Sequence, residues 1–234
     1  MTGKIHSIQT LGATDGPGVR FTVFTQGCNL RCACCHNPDS WDMTGGPGVE
    51  PCELAETATH YNEYFGDIGG VTVSGGEPLL QTEFVTAFFK KCKKFGINTC
   101  LDTSGCILNE KVKELLRVTD LEMLDIKYTS EEKYRNFVGC SLSAPLEFLK
   151  ELEALGKPTW IRQVIIPGLN DSAEDVLQLK ALTSNFKCVE KIELLPFKKL
   201  CQVKYDNLKL EFPLKSTPEP TLEKMEQLNY ILTK

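Results

Sequence analysis

Six short apolar segments rich in β-branched residues alternate along the chain with segments of helical periodicity. This alternation is typical of a parallel α/β sheet, because neighbouring parallel strands must be joined by a crossover that is usually a helix. Six strand–helix units fit a partial (β/α)6 barrel better than a complete barrel of eight strands, and the pattern leaves a doubly wound open sheet as an alternative. The predicted strands span residues 19–25, 70–74, 97–102, 121–126, 159–166 and 189–195.

The segments between these strands have the periodicity and the capping residues of helices. Residues 173–185, for example, follow Asp171 and Ser172, either of which can cap a helix. At 234 residues the chain is expected to form one domain, with a core at about 15–200 and a C-terminal segment 201–234 that ends in a packing helix. The predicted helices span residues 50–65, 82–95, 109–118, 131–137, 145–155, 173–185 and 221–232.

Polar or unusual residues follow most of the predicted strands. In a parallel α/β fold the C-terminal ends of the strands meet at one edge, and active sites assemble there. We therefore expect the functional site at this edge. The residues concerned are the cysteine-rich segment 28–36, Gly76-Glu77, Asp102-Thr103, Asp125 to Lys127, and Arg162.

Three cysteines, Cys28, Cys32 and Cys35, stand at the spacing C-x3-C-x2-C directly after the first predicted strand. Three thiolates on one loop can hold three irons of a cubane iron–sulfur cluster and leave the fourth iron open for chemistry. Zinc is the alternative, with Cys34 or His36 completing a tetrahedral set of four ligands. Because Cys34, Cys35 and His36 are consecutive, and neighbours rarely point at one ion, the spacing favours the cluster.

The composition limits the cellular compartment and the classes of partner that the protein can have. The chain has 11 cysteines, an odd number, and four of them lie within eight positions, which in a reducing compartment indicates metal binding rather than disulfides. The other seven are expected to be small buried hydrophobes. A formal charge of −5 argues against nucleic acid as a main partner. Without an apolar signal segment or a run long enough to span a membrane, the protein is expected in the cytoplasm.

The segment Ser74-Gly75-Gly76-Glu77-Pro78 follows the second predicted strand and has two interpretations. It can be an ordinary turn that ends the strand. Alternatively, the glycines let the backbone approach a ligand whose ammonium group donates to backbone carbonyls. Such a turn, one strand–helix unit after a three-cysteine loop, suits the methionyl amine of S-adenosylmethionine (SAM).

The spacing C-x3-C-x2-C followed by Gly-Gly-Glu resembles the radical SAM superfamily. More narrowly, eight segments, in family order between residues 3 and about 200, resemble the pyruvate formate-lyase activating enzymes, a family of glycyl radical enzyme activases. The resemblance covers most of the chain and implies a partial barrel of the radical SAM type. The matching segments are Asp15 to Arg20, Cys35 to Asn37, Trp41-Asp42, Ser74 to Glu77, Cys100 to Thr103, Met123 to Lys127, Trp160 to Arg162 and Glu193 to Pro196.

This resemblance implies an enzyme that installs a glycyl radical on pyruvate formate-lyase. A [4Fe–4S] cluster would bind SAM through its open iron, and one-electron reduction would cleave SAM to methionine and a 5′-deoxyadenosyl radical. That radical would take a hydrogen atom from a backbone glycine of the partner, a step beyond side-chain acids and bases. The family also implies a flavodoxin or ferredoxin as the electron donor, and a monomer is expected.

The resemblance also assigns residues to the site. The cluster ligands would be Cys28, Cys32 and Cys35. Contacts to SAM would come from Cys34, Cys35, His36, Gly76, Glu77, Asp125, Ile126, Lys127, Arg162 and Lys198. A monovalent cation near the methionyl carboxylate would be held by Asp102, Thr103, Met123 and Asp125. The two carboxylates could equally pair with Lys127 or Arg162, and the residues alone do not decide between these interpretations.

Two positions depart from the family pattern. An aromatic residue usually precedes the third cysteine, whereas this chain has Cys34, whose thiol we expect to point away while its backbone contributes contacts. A histidine usually follows the Leu-Leu-Pro-aromatic segment of the last strand, whereas this chain has Lys198, whose ammonium donates hydrogen bonds but cannot accept them. The segment Asp15 to Arg20 is either a tight turn or a contact for the partner's glycine loop.

Two further functions remain as alternatives. The chain could activate another glycyl radical enzyme, such as an anaerobic ribonucleotide reductase, or it could be a non-catalytic metal-binding module. Some activases of other partners carry extra cysteine clusters after the first loop, whereas between Trp41 and Gly70 this chain has only Cys52. That pattern favours the pyruvate formate-lyase type.

Overall fold

One sheet organises the fold. The computed structural model describes residues 1–233, and within them eight strands form a single sheet with the order β3-β1-β2-β4-β5-β6-β7-β8. The strands are β1 (Gly3–Gly12), β2 (Arg20–Thr25), β3 (Gly48–Val49), β4 (Gly70–Gly75), β5 (Asn98–Thr103), β6 (Leu121–Asp125), β7 (Thr159–Ile165) and β8 (Val189–Pro196). The six predicted strands are confirmed as β2 and β4 to β8, with bounds that shift by one residue at most.

Nine α-helices accompany the sheet within residues 1–233. They are α1 (Pro51–Thr59), α2 (Asn62–Phe65), α3 (Thr82–Lys94), α4 (Glu110–Val118), α5 (Glu131–Phe137), α6 (Ser143–Ala154), α7 (Ala173–Thr183), α8 (Gln202–Leu208) and α9 (Leu222–Thr233). The prediction of a single helix over 50–65 is wrong. The backbone tightens into a 3₁₀-type turn at His60, which separates α1 from α2. Ser172 caps α7 in a capping box with Asp175, which decides between the two predicted caps. None of these helices of residues 1–233 is long and apolar enough to cross a membrane.

The parallel strands β2, β4, β5, β6, β7 and β8 follow one another in chain order across the sheet. A strand–helix–strand crossover is almost always right-handed, so crossovers that all advance in one direction place their helices on one face. A doubly wound sheet would reverse direction at a switch point and carry helices on both faces. The strand order therefore establishes a partial barrel with an inner concave face. The sheet is open, with β3 and β8 at its two edges.

Side chains of the strands alternate between a helical side and the concave side. Phe21 and Val23 of β2 are fully buried in the main hydrophobic core. On the concave face, neighbouring strands bring polar groups together, since the Ser74 hydroxyl donates to Asp102 at 2.7 Å and Arg162 pairs with Asp102 at 3.2 Å. The C-terminal edge of the sheet thus collects polar side chains from successive strands, as the sequence predicts.

The sequence pattern does not predict β1, β3 or α8. β1 pairs antiparallel with β2 near one edge of the sheet, and most of its side chains are exposed, so it lacks the alternation of a half-buried strand. β3 is only two residues long and pairs with Gly3 and Lys4 of β1. α8 lies within the C-terminal segment, where only the final helix is predicted.

The loop between β1 and β2 folds back onto the concave face of the sheet. The Thr72 hydroxyl donates to the Asp15 carbonyl at 2.6 Å. Gly18 has φ +67°, and a Cβ added there would lie 2.7 Å from the Gly69 nitrogen, so both the backbone angle and the available space require glycine. The structure shows residues 13–19 as a bent loop that leads into β2, and the contact of this segment with a partner stays a prediction.

Arg20 anchors the start of β2 inside the protein. Its fully buried guanidinium donates to the Thr72 hydroxyl and to the Asn98 amide oxygen, each at 3.0 Å. It also donates to the carbonyls of Ile68 at 3.2 Å and Val71 at 2.5 Å. A buried charge is costly unless its donors are paired, and these bonds pair four of the five N–H groups of the guanidinium. Arg20 is therefore a structural residue.

Replacing Arg20 with methionine should lower the free energy of unfolding by about 3 kcal/mol, because four acceptors, two of them in buried hydrogen bonds and two in half-buried ones, would lose their donor. Urea denaturation followed by circular dichroism measures this change. The matched control is Arg117→Met on the exposed side of α4, where we expect a change within about 0.5 kcal/mol. Equal effects of the two substitutions would contradict the anchoring role.

Candidate active site

A cavity of about 200 Å³ opens at the C-terminal edge of the parallel strands. The ends of β4, β5, β6 and β7 and the segment after β2 form its walls. Most of the predicted site residues line it, namely Cys28, Cys32, Cys34, Cys35, His36, Gly76, Glu77, Asp102, Thr103, Asp125 and Lys127. The other lining residues are Leu30, Asn37, Trp41, Ser74, Gly75, Ser104 and Val164.

The cysteine loop, residues 26–37, follows β2 directly and is supported by the end of α5. The Arg31 N–H donates to the Val138 carbonyl at 3.3 Å, and the Ala33 N–H donates to the Phe137 carbonyl at 2.8 Å. These two backbone bonds fix the part of the loop that lies between the first and third cysteines of the motif. The positions of the thiols therefore depend on a segment about a hundred residues further along the chain.

Burial controls the protonation of the four thiols of the cysteine loop. It raises the pKa of Cys28 and of Cys34 to about 11 and also raises the pKa of Cys32 and of Cys35. Metal binding must therefore release protons from the ligand thiols. Within residues 1–233, no three His, Cys, Asp or Glu side chains are grouped to hold a single metal ion. Three soft thiolates around one cavity are the donor set of an iron–sulfur cluster, which takes one thiolate per iron.

The turn at Gly75 and Gly76 packs against the start of the cysteine loop. A Cβ added to Gly76 would lie 2.1 Å from the Gly27 carbonyl oxygen, and Gly75 has φ +111°. The Gly76 N–H donates to the Thr25 carbonyl at 3.0 Å, and the Glu77 N–H donates to the Gly27 carbonyl at 2.9 Å. Glycine is therefore required for the close approach of two protein loops. The interpretation as a strand-ending turn is confirmed, and the approach to a ligand stays a prediction.

The carboxylate of Glu77 is occupied by donors from the protein. Its side chain is only 1% exposed. It accepts hydrogen bonds from the Leu79 N–H at 3.1 Å and from the Thr103 hydroxyl at 2.5 Å. It also accepts from the Ser104 N–H at 3.1 Å and from the Ser104 hydroxyl. The side chain predicted to contact a cofactor thus joins the ends of β4 and β5.

Two ion pairs lie at the strand ends beside the cavity. Asp102 pairs with Arg162 at 3.2 Å and accepts from Ser74, and Asp125 pairs with Lys127 at 2.5 Å. Burial raises the pKa of Asp102 to about 6, with Arg162 opposing the rise and Asp125 adding to it. The structure therefore contains the two carboxylates paired with Arg162 and Lys127, which is one of the two interpretations from the sequence.

Lys127 brings a positive charge next to the cysteine loop. Burial alone would lower its pKa, but Asp125 and the thiols of Cys32 and Cys34 raise it well above the ordinary value. The ammonium therefore stays charged. A cluster held by three thiolates carries negative charge, so a lysine in this position suits that group.

Three predicted site residues lie behind the cavity wall. Ile126 and Met123 are fully buried. The Ile126 N–H donates to the Arg162 carbonyl at 3.0 Å, and its carbonyl accepts from the Gln163 amide at 2.9 Å, so both backbone groups are already paired. Arg162 lies between Asp102 and the next strand, and its guanidinium is 4.0 Å from the Met123 sulfur. None of the three lines the cavity.

Lys198 also lies outside the cavity lining. Its side chain is 46% exposed, and its ammonium pairs with Glu219 at 2.9 Å. Its backbone carbonyl, however, lies 2.9 Å from Nε2 of His36, which therefore carries the proton of that hydrogen bond. The structure connects Lys198 to the site through its backbone rather than through its ammonium.

Residues from α8 reach the site, and the sequence does not predict them. The Tyr205 hydroxyl donates to the Cys35 carbonyl at 3.2 Å, and the Lys204 ammonium donates to the Asn37 amide oxygen at 2.9 Å. Trp41, which lines the cavity, packs edge-on against Tyr205 with ring centroids 6.0 Å apart. α8 therefore supports the end of the cysteine loop, whereas α5 supports its middle.

A short apolar pattern is the signal that would have revealed α8. Cys201, Tyr205 and Leu208 stand at i, i+4 and i+7, the spacing of one helical face. Such a pattern over two turns is weak beside the prolines that follow it. The predicted packing helix is confirmed as α9, and the Lys180 ammonium of α7 donates to the Leu232 carbonyl at 3.1 Å.

Comparison with known proteins gives the class of this site. Residues 22–179 match the Radical SAM superfamily, so the fold and the cysteine loop together form a radical SAM domain. The chain is 43% identical over 231 residues to the pyruvate formate-lyase-activating enzyme of Clostridium pasteurianum, with 98% of this chain and 97% of the relative covered. It is also 43% identical over 233 residues to the pyruvate formate-lyase 1-activating enzyme of Escherichia coli strain K12, with 98% and 95% covered.

A solved structure gives the same relationship. A domain of the pyruvate-formate lyase-activating enzyme from Bacteroides vulgatus ATCC 8482 superimposes with a TM-score of 0.59 at 26% identity, over 70% of this chain and 93% of that chain. The chain belongs to the family of pyruvate formate-lyase-activating enzymes within the radical SAM superfamily. Membership of the superfamily implies a [4Fe–4S] cluster and SAM as cofactors.

Replacing Glu77 with alanine should lower the free energy of unfolding by about 3 kcal/mol, because four buried donor groups would lose their acceptor. Urea denaturation of the cluster-free protein measures the change. The matched control is Glu83→Ala, since Glu83 is exposed and pairs with Lys111 at 2.8 Å on the surface. We expect that control to change stability by less than about 1 kcal/mol. A Glu77 variant as stable as the control would show that the carboxylate does not hold the strand ends together.

Asp102 should make the folded protein less stable as the pH rises from about 4 to about 6. Its pKa is about 6 in the folded protein against an ordinary 3.8, so in this window the folded state keeps a proton that the unfolded chain has lost. The free energy of unfolding of the wild type relative to Asp102→Asn should fall by up to about 3 kcal/mol across the window. Denaturation of the two cluster-free proteins at several pH values measures this difference, and a difference independent of pH would refute the assignment.

Proposed function

We propose that the chain activates pyruvate formate-lyase by installing a glycyl radical on it through reductive cleavage of SAM. The observation that carries this proposal is the 43% identity to two pyruvate formate-lyase-activating enzymes over nearly the full length of each chain. The cavity supports it, because thiols, a glycine turn and a paired lysine from separate strand ends face the same space.

We assign the cluster to Cys28, Cys32 and Cys35. All three line the cavity, on a loop that is hydrogen-bonded to the end of α5 and to α8. When bound, the cluster and SAM supply the one-electron cleavage and the carbon radical that takes a hydrogen atom from glycine. Burial raises the pKa of the Cys28, Cys32 and Cys35 thiols, and the positive charge of Lys127 opposes that rise, which favours the thiolates that ligation requires.

The SAM contacts that we propose come from the walls around the cysteine loop. The backbone at Gly76 faces the cavity, and His36 lies at the end of the loop on the same cavity wall. Asp125 and Lys127 present opposite charges at 2.5 Å from each other, which match the carboxylate and amine of a methionyl group. Arg162 acts behind them as a positioning residue, since it contacts Asp102 without lining the cavity.

A monovalent cation beside the methionyl carboxylate is a further proposal. Asp102, Thr103 and Asp125 bring oxygen atoms to one side of the cavity. In the structure Asp102 pairs with Arg162 and Asp125 with Lys127, each through its Oδ2 atom, so a cation at this site would compete with two basic side chains for the carboxylates.

The remaining proposals concern the electron donor, the oligomeric state and the cellular compartment. We propose a flavodoxin or a ferredoxin as the electron donor, because the cluster must receive one electron for each SAM cleaved. We also propose that the chain acts as a monomer in the cytoplasm. These proposals rest on family membership, and sedimentation and donor assays test them directly.

The test begins with protein reconstituted anaerobically with iron and sulfide. Addition of pyruvate formate-lyase, SAM and a chemical reductant should produce the doublet of a glycyl radical in the electron paramagnetic resonance spectrum, together with 5′-deoxyadenosine. An anaerobic ribonucleotide reductase serves as the control partner. A radical on that control and none on pyruvate formate-lyase would overturn the proposal.

Cysteine variants then test the ligand assignment. Serine at Cys28, Cys32 or Cys35 should abolish the visible absorbance of the cluster and the glycyl radical. Cys34→Ser is the matched control, because Cys34 lies in the same loop and is as buried as Cys28, each being 8% exposed. Retention of the cluster in Cys28→Ser together with its loss in Cys34→Ser would contradict the assignment.

A further inference from the structure

The seven cysteines outside the cysteine loop divide into two groups. Cys52 is exposed, and Cys106 and Cys140 are half-buried, so the prediction of buried hydrophobes is wrong for these three. They lie in the first turn of α1 and in two connecting loops, where a side chain keeps contact with solvent. The prediction is confirmed for the buried Cys92, Cys100, Cys188 and Cys201. The last of these, Cys201, comes directly before α8 and holds the start of that helix in the core.

The segment 198–205 covers the part of the cysteine loop that reaches the surface. His36 is exposed, and its Nε2 lies 2.9 Å from the Lys198 carbonyl oxygen. The Lys204 ammonium lies 3.0 Å from the Asp39 carboxylate and donates to the Asn37 amide oxygen at 2.9 Å. The residues between 198 and 204 are therefore held beside residues 36–39.

The inner side of α8 contacts one of the proposed cluster ligands. Tyr205 is only 1% exposed, and its hydroxyl donates to the Cys35 carbonyl at 3.2 Å. The ring of Tyr205 also packs on the buried ring of Phe212, with centroids 4.7 Å apart. A single helix thus lies between Cys35 and the solvent that the outer side chains of α8 face.

The outer side of this segment is apolar and open to solvent. Leu200 is 83% exposed and Val203 is 64% exposed, and both lie between the two points where the segment contacts the cysteine loop. Leu208 and Leu210, at 43% and 41%, continue the exposed apolar surface beyond them. Four large apolar side chains so exposed within eleven residues are typical of an interaction site rather than of an ordinary surface.

Lysines surround these apolar side chains. Residues 197–215 carry five lysines and two acidic residues, on a chain whose formal net charge is −5. Lys209 ends α8, and the Lys215 carbonyl accepts from the Lys199 ammonium at 2.8 Å beside the start of the helix. Lys209 and Lys215 are exposed and take part in none of the ion pairs among residues 1–233. Two unpaired positive charges therefore flank the apolar centre.

We propose that the surface formed by Leu200, Val203, Lys209 and Lys215, the α8 face, docks the protein that delivers one electron to the cluster, and that this donor is acidic around its redox group. This role rests on the proposed function, which requires one electron for each SAM cleaved. Because the rate of electron transfer falls steeply with distance, the donor must dock close to a cluster ligand, and Cys35 lies directly behind α8. In this step the donor loses one electron and the cluster gains it, and no covalent bond of the protein changes.

The α8 face has the composition that a transient redox complex requires. Such complexes bury little surface and combine an apolar centre with a charged rim, and opposite charges on the two partners raise the rate of encounter. None of residues 198–215 lines the cavity. The electron donor can therefore bind without occupying the space in which SAM is cleaved.

The test uses the anaerobically reconstituted holoenzyme with SAM, and an acidic flavodoxin reduced to its hydroquinone as the probe. Stopped-flow absorbance follows the flavin semiquinone that forms when flavodoxin gives up one electron, and so measures a second-order rate constant. For the wild type this constant should fall at least about tenfold from about 50 mM to about 500 mM salt, because salt screens the attraction between the two proteins.

Two pairs of substitutions at exposed positions locate the docking surface. Lys209→Glu combined with Lys215→Glu should lower the rate constant at least about tenfold at low salt, and this difference should shrink at high salt. Leu200→Ser combined with Val203→Ser should lower it at least about fivefold at every salt concentration, because the apolar centre rather than the charge is lost.

The matched control is Lys90→Glu combined with Lys94→Glu on α3. Both lysines are exposed, and the substitutions change the net charge by the same amount as those on the α8 face. The rate constant of this control should change by less than about twofold. An equal loss in the control and in the lysine variant of the α8 face, or a wild-type rate that does not depend on salt, would overturn the proposal.

A small chemical reductant separates this role from the proposed function. Dithionite should reduce the cluster of every variant to the same extent and should support formation of the glycyl radical in all of them. Wild-type protein that dithionite reduces and flavodoxin does not would overturn the docking role alone. Wild-type protein that forms no glycyl radical with dithionite would overturn the proposed function and the docking role with it.

Discussion

The buried carboxylate of Glu77 determines how the ends of β4 and β5 meet. It accepts four hydrogen bonds from three residues, including Thr103 and Ser104 at the end of β5. Its own N–H donates to the Gly27 carbonyl, so the same residue also positions the start of the cysteine loop. A carboxylate with this many donors is stable in the interior, because its charge is compensated in every direction. The cavity wall, the cysteine loop and the two strand ends therefore form one connected unit. Their close approach requires glycine at position 76, because a Cβ there would collide with the Gly27 carbonyl oxygen.

The charges beside the cavity are paired with one another before any ligand binds. Asp102 with Arg162, and Asp125 with Lys127, satisfy their electrostatic requirements inside the protein. A ligand that carries both an amine and a carboxylate can replace the contacts within such a pair. Its amine then pairs with the protein carboxylate, and its carboxylate pairs with the basic side chain. A ligand with a single charge would leave one buried group unpaired, at a cost of several kcal/mol. The arrangement thus favours a zwitterionic group, such as the methionyl end of SAM, over simple anions or cations.

The parallel strands and most cavity residues could be predicted from the sequence, because period-two apolar segments and strand-end polar residues are local signals. β1 could not, since a strand near the edge of the sheet with mostly exposed side chains has no periodicity to detect. The roles of Arg20 and Glu77 could not either, because their partners are dispersed along the chain and a motif does not distinguish a buried anchor from a ligand contact. Lys198 shows the same difficulty, since its contact with His36 runs through a backbone carbonyl, which no side-chain pattern encodes. Local patterns predict which elements form, whereas the use of each polar group depends on tertiary contacts.

The support of the cysteine loop by α8 has a consequence for the order in which the protein is assembled. The Tyr205 hydroxyl bonds to Cys35 across 170 residues of chain, and the carbonyls after α5 bond to the same loop across about a hundred. During synthesis the cysteines leave the ribosome long before either supporting segment has been made. The loop reaches its final form only when nearly the whole chain is available. A cluster held by this loop would therefore have both supports only after α8 has been synthesised.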